Sequence, residues 1–242
     1  MTPPLLGDVL AVACADAFRG DGAILASPMA PMPALGAKLA RAVFEPQLLL
    51  TDGAASLQNV HGELEGRMSS EKVFDMALGG RRHVMMGASQ LDRHGNQNIS
   101  CIGPYDLPTV QLIGVSSAPG NTVHHTTSYF VDHHNTRVFV PRVDMVSGVG
   151  PRRGARDIRC IITNLCVFDL SGPHGTIALA SLHPGVTVDA VRAATGFEVH
   201  VPESVSTSRT PTKRELRWLE HLDPRRVLRS RFEPNARAHP HP

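Results

Sequence analysis

Aromatic residues are scarce in this chain of 242 residues: they make up 5% of it and include a single Trp. Proteins that bind single-stranded nucleic acid without sequence preference stack the bases on aromatic side chains, so this scarcity argues against that class. Long apolar runs are lacking too, since none approaches the roughly 20 residues of a membrane-spanning helix. The first residues, 1–4, carry no basic side chain, and no secretory signal is expected. These absences predict a cytoplasmic globular protein that binds neither nucleic acid nor membranes.

Basic charge is concentrated at one end of the chain. The net charge is +2, and residues 225–242 alone carry five Arg against one Glu. A nucleic-acid-binding domain would instead gather its basic residues on a folded face. The sequence therefore predicts a domain over residues 1–224, followed by a flexible, solvated basic tail over residues 225–242.

Neither a disulfide framework nor a metal site is expected. The chain has no C-x-x-C pair, and a domain of this size needs no disulfide scaffold. We interpret all four cysteines as reduced core residues that pack as small apolar groups; they are Cys14, Cys101, Cys160 and Cys166. The histidine pairs at 124–125 and 133–134 look like metal ligands, but adjacent side chains point apart on a helix or a strand.

Three motifs of common enzyme classes are also missing. The chain contains no G-x-S-x-G elbow of serine hydrolases, no G-x-x-x-x-G-K-[ST] phosphate loop and no G-x-G-x-x-G turn of dinucleotide-binding enzymes. These absences argue against all three classes.

Helical periodicities and apolar runs alternate along the chain. Apolar residues in segment 5–18 recur at spacings of three and four, which predicts an amphipathic helix, and the next apolar run, 23–27, is continuous, as in a strand buried on both faces. Further helices are predicted at 34–43, 71–78, 188–194 and 213–222, further strands at 48–51, 83–87, 137–140, 159–163 and 176–181, and a proline-rich loop at 28–33. We therefore predict one α/β domain with an open, mostly parallel sheet and helices on both faces.

Three loops are candidates for a ligand site, because open α/β sheets bind ligands at the carboxyl ends of their strands. They are the segments 27–33, 51–55 and 114–122. The third consists mostly of small residues, which lets backbone N–H groups approach a ligand oxygen closely. Loops of Gly, Ser and Pro are also ordinary turns, and this pattern alone leaves both interpretations open.

Residues 87–98 carry the most distinctive pattern, GASQLDRHGNQN. In its simplest interpretation this is a strand followed by a hairpin, in which Gly95-Asn96 supplies positive φ and the polar side chains satisfy backbone groups. The pattern also resembles the G-A-x-Q-[VL]-D-x-x-G-N-x-N signature of the β subunits of class I coenzyme A transferases. Further blocks resemble that family in the same order, at 49–54, 114–122, 162–169, 183–187 and 195–199.

The resemblance covers residues 8–223, almost the whole chain. It implies the coenzyme A transferase fold and an acyl-CoA substrate, with no permanently bound cofactor, since the substrate itself carries coenzyme A. It also implies an α subunit as partner, in a heterodimer or an α2β2 heterotetramer.

One position departs from the transferase pattern. Transferases of this family carry an E-N-G or E-S-G motif whose glutamate attacks the acyl-CoA and forms an enzyme–CoA thioester, whereas the aligned triplet here is Thr51-Asp52-Gly53. A threonine hydroxyl is a poor nucleophile without an adjacent base. Asp52 is displaced by one residue, and in an extended chain its side chain points to the opposite side. Ordinary transferase chemistry is therefore not expected.

A subgroup of the family fits this loss: the β subunits of the Ipd-type actinobacterial hydrolases that cleave steroid rings. The stretches that resemble it are LLTDG at 49–53, GRRHV at 80–84, DRHGNQN at 92–98 and APGNT at 118–122, whereas segment 59–66 is shorter than expected. The resemblance implies hydrolytic opening of the last carbocyclic ring of a steroid-derived CoA thioester. It places the essential glutamate, the general base, in the α subunit.

The resemblance assigns the opposite wall of such a site to this chain. The candidate catalytic residues are Thr51, Asp52 and Gly53. The candidates for binding the CoA ester are Gln90, Asn98, Ser116, Ser117, Ala118 and Gly120. In this set, segment 116–120 offers backbone donors, and Gln90 and Asn98 brace the loop. Two alternatives remain open, a genuine CoA transferase that moves CoA between carboxylic acids and a scaffold subunit without chemistry.

Overall fold

The computed structural model describes residues 5–52, 55–115 and 117–233. The helices in these segments are α1 (Leu6–Ala17), α2 (Pro31–Val43), α3 (Ser70–Leu78), α4 (Ala118–His124), α5 (Val188–Ala194) and α6 (Lys213–Leu222). The strands are β1 (Leu25–Pro28), β2 (Leu49–Thr51), β3 (Ser56–Gln58), β4 (Leu64–Arg67), β5 (Arg82–Met86), β6 (Gln90–Leu91), β7 (Gln97–Asn98), β8 (Cys101–Ile102), β9 (Val110–Gln111), β10 (Thr126–Val131), β11 (Asp157–Thr163), β12 (Cys166–Gly172), β13 (Thr176–Leu182) and β14 (Ser206–Thr207). Single 3₁₀ turns occur at Pro151–Arg153 and Arg229–Phe232.

Ten of these strands form one mixed sheet in the order β14-β13-β12-β11-β10-β5-β1-β2-β3-β4. Its centre, from β11 to β2, is parallel throughout. Antiparallel pairs flank this centre on both sides, and the outermost pair β13–β14 is again parallel. The hairpins β6–β7 and β8–β9 lie outside the sheet. The predicted open, mostly parallel sheet is confirmed.

Both faces of the central strands are covered, which explains their continuous apolar sequences. In β5, Val84 and Met86 belong to one hydrophobic cluster, whereas Met85 between them belongs to the other. The cluster around Met85 contains the buried faces of α1, α2 and α6, and the cluster around Val84 contains residues of α4 and α5. Because successive side chains of a strand point to opposite faces, an apolar residue at every position is what two covered faces require.

The loop predicted at 28–33 is wrong in its second half, because α2 begins at Pro31. The first N–H groups of a helix have no partner within it, so Pro31 and Pro33 cost α2 no internal hydrogen bond. Further along the helix, Gly36 packs against α1 so closely that a Cβ there would collide with the Cβ of Cys14. Glycine at this position allows the two helices to cross in close contact.

The strand predictions need three corrections. Segment 137–140 forms no strand, and Phe139 makes an isolated bridge to Leu91. β10, which the sequence did not indicate, lies in the middle of the sheet. β12 and β13 pair antiparallel, since the turn between them has positive φ at His174 (59°) and Gly175 (71°), which matches a tight hairpin.

The first residues of the predicted tail pack onto the domain. Arg229 is 0% exposed, and its guanidinium donates to Asp8 Oδ1 of α1 at 2.7 Å and to Asp223 Oδ2 at 3.3 Å. A Cβ at Gly7 would collide with the backbone of Arg229, so α1 accepts this segment at a glycine. The expectation of a solvated tail therefore does not hold for Arg229, which is paired with buried acids, whereas Arg225, Arg226 and Arg231 are exposed. Residues 234–242 lie outside the described residues.

Candidate active site

A cavity of about 650 Å³ lies at the carboxyl ends of β1 and β2. Its described lining comprises Pro28, Met29, Ala30, Pro31, Ala34, Ala37, Lys38, Leu50, Thr51, Asp52, Gln58 and Ser117. The three loops predicted to form a ligand site therefore each contribute residues to one cavity, although they are distant in sequence. This is the edge at which open α/β sheets bind ligands.

Thr51 and Asp52, two of the candidate catalytic residues, both line this cavity. Thr51 is 5% exposed, whereas Asp52 is exposed. The backbone N–H of Asp52 donates to the Ser56 carbonyl at 3.1 Å, and Asp52 Oδ1 accepts from the Ser56 N–H at 3.1 Å. The turn after β2 is thus tied to β3. The third candidate, Gly53, lies outside the described residues.

Ser117 is the member of the predicted CoA-ester set that lies at the cavity. It is exposed and immediately precedes α4. Ala118, which is 1% exposed, and Gly120 lie within α4, so the loop predicted at 114–122 is wrong from residue 118 onward. Ser116 lies outside the described residues.

Gln90 and Asn98 lie in the β6–β7 hairpin and do not line the cavity. Asn98 Nδ2 donates to Gln90 Oε1 at 2.7 Å, and Gln90 Nε2 donates to Asp144 Oδ2 at 3.0 Å. Asn98 Oδ1 accepts from the Ser100 N–H at 2.9 Å. These buried side chains satisfy one another, Asp144 and the backbone of residues 100–101. None of these hydrogen bonds reaches the described part of segment 116–120, so the role of bracing that loop stays a prediction.

Two polar residues of the lining, Lys38 and Gln58, were missed in the sequence. Lys38 follows Ala34 by four positions, the spacing that puts side chains on one helix face, and this spacing is the signal that could have found it. One turn later, Arg41 donates to the Gln58 carbonyl at 2.9 Å and to the Glu65 carboxylate at 2.8 Å. The hydrogen bond from Arg41 lowers the pKa of Glu65. Arg41 thus fastens α2 to the β3–β4 hairpin beside the cavity.

The described lining combines groups suited to an acyl ester with anionic parts. Lys38 supplies an ammonium, Thr51 and Ser117 supply hydroxyls, and Asp52 supplies the carboxylate. An ammonium attracts phosphate or carboxylate groups, and hydroxyls donate to an oxygen that gains negative charge. The arrangement suits a reaction in which an oxyanion develops.

One histidine of each pair is buried, His125 and His134, whereas His124 and His133 are exposed. His134 lies between two hydroxyls, with Nδ1 3.0 Å from Thr163 Oγ1 and Nε2 3.0 Å from Thr195 Oγ1, and burial lowers its pKa to about 4. His125 Nε2 donates to the Ala77 carbonyl at 2.9 Å. In the described segments, no three His, Cys, Asp or Glu residues come together as metal ligands. Nor does any described helix have the length and apolar character needed to cross a membrane.

Known proteins resemble the chain over most of its length, although no family model matches it. The IpdB subunit of the cholesterol ring-cleaving hydrolase of Rhodococcus jostii is 49% identical over 230 residues, which are 89% of this chain and 91% of that protein. The chain belongs to the IpdB family. The expected resemblance to Ipd-type β subunits is confirmed.

Solved structures agree with this assignment. The crystal structure of Rhodococcus jostii RHA1 IpdAB matches with a TM-score of 0.89 and 46% identity, over 94% of this chain and 98% of that chain. Glutaconate coenzyme A-transferase from Acidaminococcus fermentans matches with a TM-score of 0.78 over 92% of this chain and 96% of that one. At 18% identity the second likeness shows the fold alone. The expected coenzyme A transferase fold is thereby confirmed.

Proposed function

We propose that this IpdB-family chain is the β subunit of a heteromeric hydrolase that opens the ring of a steroid-derived cyclic acyl-CoA. The observation that carries the proposal is the 49% identity to the IpdB subunit of a cholesterol ring-cleaving hydrolase over 89% of the chain. The partner is an α subunit, by analogy with the two-subunit IpdAB. The cavity beside Thr51 is the half of the active site that this chain contributes.

The proposed reaction is hydrolytic cleavage of a carbon–carbon bond next to a ring ketone. A general base, a glutamate of the α subunit, takes a proton from water as the water oxygen bonds to the ketone carbon. The resulting oxyanion collapses to a carboxyl group while the ring carbon–carbon bond breaks. The electron pair of the broken bond forms an enolate with the neighbouring carbonyl. Protonation of that enolate completes the addition of one water across the broken bond.

This chain supports the reaction by stabilising charge. The Thr51 and Ser117 hydroxyls, at one wall of the cavity, donate to the oxygens that become negative. The Lys38 ammonium attracts the anionic CoA ester. Asp52 holds the turn after β2 through its hydrogen bond with the Ser56 N–H.

The proposal is tested on the complex of this chain with its α subunit. A cyclic ketone-containing steroid acyl-CoA is supplied in water labelled with oxygen-18, and the product is examined by mass spectrometry. Hydrolytic ring opening places one labelled oxygen in the new carboxyl group and leaves the thioester intact. An intact ring, or label found only after loss of CoA, contradicts the proposal.

Two variants test whether this chain takes part in the reaction or serves only as a scaffold subunit. Thr51→Val keeps the shape of the side chain and removes its hydroxyl, so kcat is expected to fall about tenfold or more. Thr207→Val makes the same change on the exposed strand β14 and is expected to leave kcat unchanged. Equal activity of both variants would favour a scaffold role.

A CoA transferase is the second candidate, favoured by the fold shared with glutaconate coenzyme A-transferase. A transferase forms a glutamyl–CoA thioester that borohydride reduces to a stable alcohol. We expect no such product on this chain, because Thr51 stands at the position of the attacking glutamate. Detection of a reduced glutamate on this chain would identify it as a transferase.

A further inference from the structure

A single asparagine connects Ser117, at the cavity, with a largely buried arginine. Asn121 Nδ2 donates to Ser117 Oγ at 3.0 Å, and Arg82 Nη1 donates to Asn121 Oδ1 at 3.3 Å. The Nε of the same guanidinium donates to Ser27 Oγ at 3.3 Å. Asn121 is 1% exposed and lies one helical turn after Ser117 in α4. Ser117 at the cavity is thus linked through two hydrogen bonds to the guanidinium of Arg82.

Arg82 determines which end of the Asn121 amide faces Ser117. A guanidinium carries only donors, so the amide oxygen must face it, and the flipped amide would put donor against donor. The amide nitrogen therefore faces the other way, where one N–H donates to Ser117 Oγ and the other points to Met86 Sδ at 3.3 Å. Every polar atom of the Asn121 side chain is satisfied in this one orientation.

The orientation of Asn121 in turn decides what the Ser117 hydroxyl does. A serine hydroxyl has one hydrogen to donate and two lone pairs that accept. The N–H of Asn121 occupies one lone pair of Ser117 Oγ, so the hydroxyl hydrogen of Ser117 points away from Asn121. Ser117 is the N-cap residue of α4, but its side chain makes no cap hydrogen bond. Because Ser117 is exposed at the cavity, its O–H is able to donate to a ligand in that space.

Arg82 is costly to bury, which indicates a role beyond packing. In the described residues its side-chain hydrogen bonds go to the neutral oxygens of Ser27 and Asn121, and desolvation lowers its pKa. A partly buried cation without a carboxylate partner carries a desolvation cost that other groups must offset.

We propose that Arg82 and Asn121 are positioning residues that commit the Ser117 hydroxyl to donating a hydrogen bond to the oxyanion formed during ring opening. The inference rests on the proposed function. Asn121 contributes the direction of the Ser117 hydrogen bond, and Arg82 contributes the orientation of Asn121.

The decisive variant is Asn121→Asp, because it exchanges the amide nitrogen for an oxygen of nearly the same size. The new carboxylate still accepts from Arg82, and it also accepts from Ser117, whose hydrogen then turns away from the cavity. The buried Arg82 gains an opposite charge, so Tm is expected to stay constant or rise. We expect kcat of the complex with the α subunit to fall about a hundredfold while KM changes little.

Three further variants and one control variant complete the measurement. Ser117→Ala removes the donor and is expected to lower kcat as much as Asn121→Asp, and the double variant is expected to be no slower than Ser117→Ala. Ser117→Thr keeps the hydroxyl and is expected to restore most of the activity. The matched control is Asn135→Asp, since the Asn135 side chain binds the His133 carbonyl in a loop that does not line the cavity.

The outcomes distinguish the inference from the function on which it rests. Ring cleavage by the wild-type complex, combined with an unchanged kcat in Asn121→Asp, overturns the inference alone. A loss of kcat that is matched by a fall in Tm also overturns it, because that result indicates a structural role. A wild-type complex that cleaves no ring overturns the proposed function, and the inference with it.

Discussion

The Arg229 side chain donates a hydrogen bond to Asp8 Oδ1 at 2.7 Å, although 221 positions separate the two residues. The arginine is 0% exposed and Asp8 is 3% exposed. Asp223 contacts the same guanidinium through Oδ2. The ion pair therefore ties the last described turn of the chain to its first helix.

Replacement of Arg229 is expected to destabilise the protein strongly. Arg229→Met leaves Asp8 and Asp223 buried without their cation, which costs about 3–5 kcal/mol of unfolding free energy. Urea unfolding measures the loss. The double variant Asp8→Asn/Arg229→Met is expected to recover part of it. Arg231→Met changes an exposed arginine of the same turn and is expected to cost about 0.5 kcal/mol or less. Equal stabilities of the two single variants would contradict the importance of this pair.

Glu215 is expected to govern stability in acid. Burial alone would raise its pKa, but hydrogen bonds from Arg209 and Thr212 outweigh burial and lower it from 4.5 to about 2. A carboxyl whose pKa is lower in the folded state stabilises the fold above its unfolded pKa, and this contribution disappears as the pH falls from 4.5 toward 2. Solvent near Arg209 screens the pair, so we expect about 1–2 kcal/mol.

The variant Glu215→Gln tests this contribution. We measure its unfolding free energy with urea between pH 5 and pH 2. Over this range the unfolding free energy of the variant is expected to fall by about 1–2 kcal/mol less than that of the wild type. Glu203→Gln alters an exposed carboxyl and serves as the control. Parallel pH profiles of wild type and Glu215→Gln would show that the pair with Arg209 stabilises nothing.

His134 is expected to add a second pH dependence at higher pH. Its pKa is about 4 in the folded protein because burial disfavours the imidazolium, against 6.5 for an ordinary histidine. A histidine with a lowered pKa stabilises the fold fully above 6.5, and that stabilisation is lost as the pH falls toward 4. His134→Gln is expected to flatten this part of the profile, and exposed His200→Gln is not. An NMR titration midpoint of His134 near 6.5 would refute the lowered pKa.

Lys38 is expected to act on substrate binding more than on turnover. Its ammonium lines the cavity, so Lys38→Ala should raise KM for the CoA thioester about fivefold to tenfold, or roughly 1 kcal/mol, with little change in kcat. Added salt should shrink the difference because it screens the charge. Lys72→Ala, which removes an exposed ammonium from α3, serves as the control. A fall in kcat at constant KM would assign Lys38 to the chemistry instead.

Several of the predictions that the structure confirmed depend on residues close together in the chain. Thr212 and Glu215 form a capping box at the start of α6, in agreement with the helix predicted at 213–222, and Gly95 has the positive φ (72°) expected for the hairpin turn. Each of these features is decided by backbone and side-chain groups within four positions. The same holds for the apolar spacing that predicted α1.

The features that sequence reasoning missed depend on the order of strands. β10 begins with Thr126, Thr127 and Ser128, which carry no apolar signal, yet it lies between β5 and β11 in the middle of the sheet. The ion pair between Arg229 and Asp8 forms only when the first helix and the last described turn lie together in the fold. The local pattern of basic residues gave no sign of this contact and predicted a solvated tail.

The candidate site likewise combines features that the sequence determined with features that only the tertiary structure determined. The amino-acid sequence determined that Thr51 and Asp52 follow each other at the end of β2, and it determined the helices and turns that depend on neighbouring residues. Only the tertiary structure brought Lys38, Thr51 and Ser117 to one cavity and set Asn121 between Ser117 and Arg82. The physical reason is that helices and turns form through contacts within a few residues, whereas a site at the edge of a sheet requires the whole strand order to be in place.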